Sequence, residues 1–163
     1  HGAKVFVTVG GQDKVDACLK LGADAAINYK TEDFVARTKE LTDGKGVDVI
    51  LDMVGGDYID RNYEAAAIEG RIVQIAFLGG SKATPNFAKL MMKRLHHTGS
   101  TLRPRSVADK AAMVAAIEAN AMPWLNEGRV KPLMDSSFPL KEASKAHARM
   151  ESSQHIGKIV LTV

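Results

Sequence analysis

The beginning of the sequence combines an apolar run, a glycine turn and a helix, in the order that builds one crossover of a parallel α/β sheet. Residues 4–9 predict a strand, Gly10 and Gly11 a turn, and residues 12–21 a helix that Gly22 ends. This pattern is typical of the second strand of a nucleotide-binding βαβ unit. We therefore expect the first strand of the unit and its phosphate-binding loop to lie upstream of residue 1.

Strand and helix patterns go on alternating as far as residue 102. The predicted strands cover residues 25–29, 47–54, 71–77 and 95–102. One predicted helix begins after Thr31, and two others cover residues 58–68 and 86–94. Thr31 is the expected N-cap of the first of these helices. Strands separated by helices of these lengths predict an α/β fold, namely a doubly wound parallel sheet that is Rossmann-like and truncated at its N-terminus.

The pattern changes after residue 104. We predict a partial dinucleotide-binding domain over residues 2–104 and a separate C-terminal segment over residues 105–163. Ser106 and Asp109 have capping-box spacing before a long helix, which Pro123 should kink or restart. An extended stretch over 130–138, a helix over 140–150 and a strand over 156–163 are expected to follow.

Composition narrows the classes of function. No apolar run approaches the ~20 residues that a membrane-spanning helix needs, and Cys18 is the only cysteine, which excludes an intrachain disulfide and suits a reducing cytoplasm. The basic residues between Lys89 and Arg105 lack the aromatic neighbours that stacking on single-stranded nucleic acid requires. We expect neither a membrane nor a nucleic acid as partner.

The ends of the first two strands indicate which nucleotide such a domain would accept. A carboxylate at the end of the first visible strand would favour NAD, but Gly10 and Gly11 occupy that place. Lys14 follows one helical turn later and Tyr29 ends the next strand, so a cation and a phenol are available for a 2′-phosphate. These residues favour NADP, although a plain surface lysine and a half-buried tyrosine explain them equally well.

Glycine pairs follow the next two strands, at Gly55–Gly56 and Gly79–Gly80. Glycine at the carboxyl end of a strand lets a ligand approach the backbone, and it also makes tight turns. Asp52 either contacts a cofactor or caps the turn. His96 and His97 are adjacent on a predicted strand, where they would point to opposite faces and bind one metal poorly.

Several segments in order resemble the quinone oxidoreductase branch of the medium-chain dehydrogenase/reductase superfamily, in its p53-inducible quinone oxidoreductase subgroup. The segments that carry the resemblance are residues 27–34, 46–56, 90–94, 98–103, and 150–161 without 152–154. The resemblance implies a zinc-free, NADPH-dependent enzyme that reduces quinones or related conjugated carbonyls.

The resemblance also implies positions for the cofactor. Gly11, Lys14 and Tyr29 match the residues that hold the 2′-phosphate, although the position of Gly11 is usually a serine. The adenine side matches Val54 and Gly55. The nicotinamide side matches Phe77, Leu78, Gly79, Thr101, Leu102 and Arg103, and the residue that closes over the cofactor matches Gln154 or His155.

By the same resemblance, the catalytic residues and the first, central strand lie outside this chain. We expect the isolated chain to be inactive, and we expect residues 4–9 and 47–54 to pair directly, to swap or to dimerise. The family implies a cytoplasmic homodimer that associates near residues 95–102. An enoyl reductase or zinc-free alcohol dehydrogenase of the same superfamily is an alternative, and so is a non-catalytic nucleotide-binding module.

Overall fold

The computed structural model describes residues 2–163, which form two compact units that divide between Pro104 and Arg105. The elements of the first unit, in order, are β1 (Phe6–Val9), α1 (Gln12–Lys20), β2 (Ala25–Asn28), α2 (Phe34–Leu41), β3 (Val47–Asp52), α3 (Tyr58–Ala65), β4 (Ala66–Gln74), α4 (Phe87–Met92) and β5 (His96–Gly99).

All strand pairs of the first unit are parallel, which confirms the α/β, Rossmann-like prediction. β1 pairs with β2, with Phe6 opposite Ala25, and β3, β4 and β5 form a second sheet in that order. Within residues 2–163, β1 does not pair with β3, so the first of the three expected alternatives, direct pairing, is wrong, while swapping and dimerising stay predictions. Side chains connect the two sheets instead.

Two buried clusters form the core of the first unit. Ile27 of β2, Phe34 of α2 and Ala65 of α3 make one cluster, and Ile50 of β3 packs against it. Because Ile27 and Ile50 belong to different sheets, this cluster joins the sheets without backbone hydrogen bonds. The second cluster lies between α3 and β4–β5 and consists of Ile59, Tyr63, Ala66, Ile72 and Leu95.

The boundary between α3 and β4 differs from the predicted one. The apolar pattern predicts helix as far as Ile68, but α3 ends at Ala65 and β4 begins at Ala66, which is 1% exposed. Glu69 then takes a positive φ of 60°. Regular pairing with β3 resumes at Arg71, where the prediction began the strand.

Lys93, which lies outside α3, stabilises the C-terminal end of this helix. The ammonium group of Lys93 donates to the carbonyls of Tyr63, Glu64 and Ala66, at 2.9, 2.8 and 2.9 Å. The last carbonyls of a helix have no partner within the helix, and a cation at that end also complements the helix dipole. Burial lowers the pKa of Lys93.

The N-cap of α2 is Asp33 and not Thr31, so that prediction is wrong. The Asp33 carboxylate accepts from the N–H of Val35 at 2.9 Å, whereas the Thr31 hydroxyl donates to the carbonyl of Asn28 at 3.4 Å. Thr31 is used in the turn before the helix. The N–H of Val35, and then the side chain of Arg61, lower the pKa of Asp33.

The second unit contains α5 (Val107–Asn120), α6 (Met122–Asn126), β6 (Met134–Pro139), a 3₁₀ turn (Leu140–Glu142), α7 (Ala143–Glu151) and β7 (Lys158–Thr162), with β6 parallel to β7. Ser106 caps α5 by accepting from the N–H of Asp109 at 3.1 Å, as predicted. Pro123 lies in the first turn of α6, where the helix restarts. Among the residues described, no helix has the length and apolar character needed to cross a membrane.

Replacing Tyr63 by Phe tests the contact between α3 and β5. The Tyr63 hydroxyl lies 2.9 Å from His97 Nδ1, and its loss should lower the free energy of unfolding by about 1–2 kcal/mol. Tyr58→Phe is the matched control, because the Tyr58 hydroxyl has no hydrogen-bond partner among residues 2–163. Urea denaturation measures both, and equal losses would contradict the role given to Tyr63.

Acid should weaken the contact between α3 and α4. Asp60 accepts from the N–H of Asn86 at 2.8 Å and from Lys89 at 2.9 Å, and these groups, in that order, lower the pKa of Asp60. A lowered folded-state pKa gives stability that is present above the ordinary carboxyl pKa of about 4 and is lost as the pH falls through the folded value. The destabilisation caused by Asp60→Asn should therefore shrink between pH 6 and pH 3.

The measurement is urea denaturation across that pH range. Asp48→Asn is the control, since Asp48 is exposed and has no ion-pair partner in the described part of the chain. A destabilisation by Asp60→Asn that stays constant with pH would contradict the assignment.

Candidate nucleotide-binding site

The carboxyl ends of β1 and β2 meet at a glycine that has no room for a side chain. A Cβ placed on Gly10 would lie 2.7 Å from the Tyr29 hydroxyl oxygen and 3.4 Å from Lys30 Cε. The N–H of Tyr29 donates to the carbonyl of Val9 at 3.0 Å, which fixes the start of the turn after β2. We call Gly10, Gly11, Tyr29 and Lys30 the β1–β2 cradle.

Helix α1 begins directly after this cradle. Gly11 is its N-cap in extended backbone, and no side chain caps it. Half-buried Lys14 and exposed Asp13 stand in the first turn, and a Cβ on Gly11 would lie 2.6 Å from Asp13 Oδ1. One carboxylate therefore stands beside the cradle, which contains Lys30, and Lys14 lies in the first turn of the helix that follows it.

The carboxyl ends of β3 and β4 are bound together through glycine backbone. The N–H of Gly56 donates to the carbonyl of Gly80 at 2.8 Å, and the N–H of Gly79 donates to that of Val54 at 2.7 Å. Gly55 has a φ of +68°, and a Cβ on it would lie 2.7 Å from both Gly80 O and Phe77 Cδ1. We call Gly55, Gly56, Gly79 and Gly80 the glycine contact.

The glycine contact brings five of the predicted site residues together. Val54 and Gly55 stand on one side of it, and Phe77, Leu78 and Gly79 on the other. Phe77 is 51% exposed and Leu78 is 80% exposed. These apolar side chains are therefore available to a ligand at the carboxyl edge of the sheet.

Asp52 caps the turn after β3, which is one of the two roles that the sequence left open for it. Its side chain is buried, at 4% exposure. The carboxylate accepts from the N–H groups of Val54 and Gly55, at 2.6 and 3.2 Å, and from Asn62 Nδ2 at 3.0 Å. Asp52 thus shapes the turn and does not face a ligand.

The cradle and the glycine contact lie at corresponding ends of their sheets, and a stack of side chains connects the helices that follow them. The rings of Phe34 and Tyr58 stack at 5.3 Å between centroids. The guanidinium of Arg61 lies 4.2 Å from the Phe34 ring centroid and pairs with Asp33 at 3.0 Å. Because α2 and α3 begin at the carboxyl edges of β2 and β3, the stack lies beside the candidate site.

Two hollows accompany the three-stranded sheet. The smaller one, about 290 Å³, is lined by Gln74, Phe77 and the end of β5, and so lies on the side of the predicted site. The larger one, about 710 Å³, is lined by Asp48, Ile68 and His96 at the amino ends of the strands. Ligands of doubly wound sheets bind at the carboxyl ends, so we assign no role in nucleotide binding to the larger hollow.

The remaining predicted residues lie in loops. Thr101, Leu102 and Arg103 follow β5 on exposed backbone, and the N–H of Ser100 donates to the carbonyl of Gln74 at 3.0 Å. Gln154 and His155 belong to the second unit, between α7 and β7. The roles of all these residues stay predictions.

The structure adds two cationic residues that sequence reasoning missed. Lys30 directly follows Tyr29, and its position after a strand end was the available signal. Arg61 lies within a helical pattern, where nothing in the sequence distinguishes it from an ordinary surface arginine.

The two histidines of β5 do not form a metal site. His97 contacts Tyr63, and His96 lines the hollow on the opposite edge, as expected for neighbours on a strand. Within residues 2–163, no group of three or more His, Cys, Asp or Glu side chains is arranged to hold a metal ion.

Parallel strands joined by helices, with glycine turns at their carboxyl ends, define a Rossmann-like α/β domain. Residues 21–161 match the family model described as zinc-binding dehydrogenase. The chain belongs to this dehydrogenase family, and the resemblance to quinone oxidoreductases is confirmed by relatives that carry that name.

Quinone oxidoreductase 1 of Escherichia coli is 32% identical over 161 residues, which are 98% of this chain and 49% of the relative. Quinone oxidoreductase-like protein 2 of Bos taurus is 28% identical over 99% of this chain and 46% of its own length. The crystal structure of Escherichia coli quinone oxidoreductase complexed with NADPH has a TM-score of 0.82 at 31% identity, over 99% of this chain and 50% of that one. The chain thus spans about half the length of the relatives it matches.

Substitution at Gly55 tests the glycine contact. Gly55→Ala adds a Cβ where the carbonyl of Gly80 and the ring of Phe77 already lie, and Gly44→Ala adds one in open space at a comparable φ of +80°. Both variants incur the cost of a left-handed alanine, about 1–2 kcal/mol, but Gly55→Ala should cost about 1–3 kcal/mol more through overpacking. Equal melting temperatures for the two variants would contradict the close approach.

Proposed function

We propose that this chain is the NADPH-binding part of an oxidoreductase that transfers hydride to quinones or related conjugated carbonyls. NADPH, when bound, supplies the hydride. The chain's own residues bind and orient the two ends of the coenzyme. Support comes from the quinone oxidoreductase relatives, and from the NADPH complex of one of them, which is 31% identical to this chain.

The observation that carries the proposal is the β1–β2 cradle. A ligand phosphate placed above Gly10 would have the Tyr29 hydroxyl as a donor, with Lys30 beside it and Lys14 in the first turn of α1. The exposed Tyr29 ring and the ammonium group of Lys30, which has no ion-pair partner among residues 2–163, are available for such a contact. Hydrogen bonds from charged donors to phosphate are the strong class of hydrogen bond.

Asp13 works against the phosphate in this arrangement. Its carboxylate lies beside Gly11 and reduces the positive potential of the two lysines. Lys30 in the cradle, with Lys14 in the helical turn that follows, still favours an anionic ligand. A carboxylate can also accept from a ribose hydroxyl, so Asp13 is a candidate determinant of how strongly NADPH is preferred over NADH.

The glycine contact serves the rest of the coenzyme in this proposal, from the adenine to the nicotinamide. Val54 and Gly55 lie towards the adenine. Exposed Phe77 and Leu78, with Gly79 and the loop of Thr101, Leu102 and Arg103, form an apolar wall for the nicotinamide. A dry apolar wall excludes water from the hydride-transfer site. Gln154 and His155 are assigned to the same coenzyme from the sequence alone.

The whole reaction belongs, in this proposal, to a polypeptide about as long as the relatives. The 163-residue chain by itself is expected to bind the coenzyme without reducing quinones. A zinc-free mechanism, a homodimer and a cytoplasmic location remain predictions from the sequence. An enoyl reductase, a zinc-free alcohol dehydrogenase or a non-catalytic module would use the same cradle, and would differ in the residues that contact a substrate.

The test compares 2′,5′-ADP with 5′-AMP in calorimetric titrations of this chain. The wild type should bind 2′,5′-ADP about tenfold or more tightly than 5′-AMP, because the extra phosphate gains charged hydrogen bonds. Lys14→Met and Lys30→Met should each reduce that ratio by about three- to tenfold, and Asp13→Asn should raise it.

Lys20→Met is the matched control, because Lys20 is exposed at the far end of α1. It should leave the ratio unchanged. A wild-type ratio near one, or equal ratios in Lys14→Met, Lys30→Met and Lys20→Met, would overturn the NADPH assignment.

A further inference from the structure

The smaller hollow of the three-stranded sheet lies where a glycine of β5 stands beside a glutamine of β4. Gln74 and Gly99 are partners in the parallel register of these strands. Gly99 would otherwise place a side chain on the face that carries Gln74 and His97, and a Cβ built on it approaches only the Gln74 carbonyl oxygen, at 3.9 Å. The hollow measures about 290 Å³, and its lining lies wholly within the first unit, at Ile59, Gln74, Phe77, His97, Thr98 and Gly99.

Gln74 carries a buried oxygen that has no hydrogen bond within the described chain. The residue is 7% exposed, and its Nε2 donates to the carbonyls of Ala76 at 2.6 Å and Asp52 at 3.3 Å. Because both of these carbonyls only accept, reversing the amide would set Oε1 against two oxygens. The orientation of the amide is therefore fixed, and Oε1 has no partner among residues 2–163. A buried acceptor in this state is destabilising, and a donor from a ligand would satisfy it.

His97, which lines the same hollow, supplies the opposite kind of group. The hydroxyl of Tyr63 lies 2.9 Å from His97 Nδ1 and has no other hydrogen-bond partner among residues 2–163. Tyr63 is 2% exposed, and burial raises the pKa of its phenol, so the hydroxyl keeps a proton that it donates to Nδ1. An imidazole that accepts at Nδ1 carries its own proton on Nε2. The residues of the hollow thus include one acceptor, Gln74 Oε1, and one donor, His97 Nε2.

We propose that the smaller hollow binds a primary carboxamide carried on a small flat ring. The amide N–H can donate to Gln74 Oε1 and the amide carbonyl can accept from His97 Nε2. Ile59 and Phe77 provide apolar contacts for the ring. A carboxylate on the same ring would instead bring an oxygen to Gln74 Oε1. Sites for small ligands combine apolar walls with a few placed polar groups in this way.

The inference goes beyond the proposed function and does not depend on it. The nicotinamide of a coenzyme carries a primary carboxamide, and a free aromatic amide carries the same group. The hollow lies at the carboxyl ends of β4 and β5, the edge at which ligands of such sheets bind. The experiment therefore distinguishes a free amide from the coenzyme as the source of the group.

The experiment titrates this chain with nicotinamide and with nicotinic acid, which differ only in the group that would meet Gln74. The backbone amide signal of Thr98, which lines the hollow, is followed by NMR. Nicotinamide should saturate the signal change with a Kd of about 1 mM or below, as expected for a small ligand with few contacts. Nicotinic acid should bind about tenfold or more weakly, because it leaves Gln74 Oε1 without a donor.

Gly99→Ala reduces the hollow without straining the strand, because Gly99 has no positive φ and the added Cβ meets nothing closer than 3.9 Å. It should raise the Kd for nicotinamide about fivefold or more, because the ring loses space. Ser100→Thr is the matched control, since it adds a methyl group to the next residue, which is exposed and does not line the hollow. Gln74→Met removes the acceptor and should abolish the preference for nicotinamide over nicotinic acid.

Titrations with NADPH identify the source of the carboxamide. If NADPH displaces nicotinamide and Gly99→Ala weakens the binding of both, the coenzyme supplies the group. If nicotinamide also binds the NADPH-saturated chain, a free amide supplies it. Both results support the site.

The site is overturned if nicotinamide shows no saturable binding, if nicotinic acid binds equally tightly, or if Gly99→Ala and Ser100→Thr have the same Kd for nicotinamide. Should Gln74→Met fail to fold, Gly99→Ala decides by the same criteria. A failure of the proposed function is distinguishable, because it shows as a missing preference for 2′,5′-ADP and neither ring compound carries a phosphate.

Discussion

The carbonyl of Gly80 accepts a hydrogen bond from the N–H of Gly56, and the carbonyls of Gly79 and Gly80 lie so close to Gly55 and Gly56 that neither glycine has room for a side chain. This contact holds the carboxyl ends of β3 and β4 together. The buried carboxylate of Asp52 stabilises the turn after β3 by accepting from the N–H groups of Val54 and Gly55. The exposed side chains of Phe77 and Leu78 depend on it, because the turn that carries them is fixed by the carbonyls of Met53 and Val54. The candidate site is thus built on backbone and only lined by side chains.

The supporting framework depends on α3. One face of this helix packs on β4 and β5 through Ile59 and Tyr63, and its last carbonyls are held by Lys93. Its first turn supplies Tyr58 and Arg61 to the stack beside the site. A single helix therefore contributes to the core, to the contact with Lys93 and to the surroundings of the candidate site. Its end at Ala65 lets the chain turn directly into β4.

Much of this was predictable from the sequence, since the order of strands, the glycine turns and the cap at Ser106 follow from local rules. The residues missed are those whose role depends on distant partners. Thr31 and Asp33 are both good N-caps, and only the turn at Asn28 decides between them. Similarly, Lys30 lies beside Gly10 only because β1 pairs with β2, and no short-range pattern connects these two residues.

The two sheets of the first unit share no backbone hydrogen bond between β1 and β3 in the described chain, and the Ile27–Phe34–Ala65 cluster joins them. The spacing between the cradle and the glycine contact is consequently set by the volume of a few packed side chains. A substitution at an apolar core position would therefore change this spacing without touching any residue of the cradle or of the glycine contact. In this domain, the packing of the core and the geometry of the candidate site are physically connected.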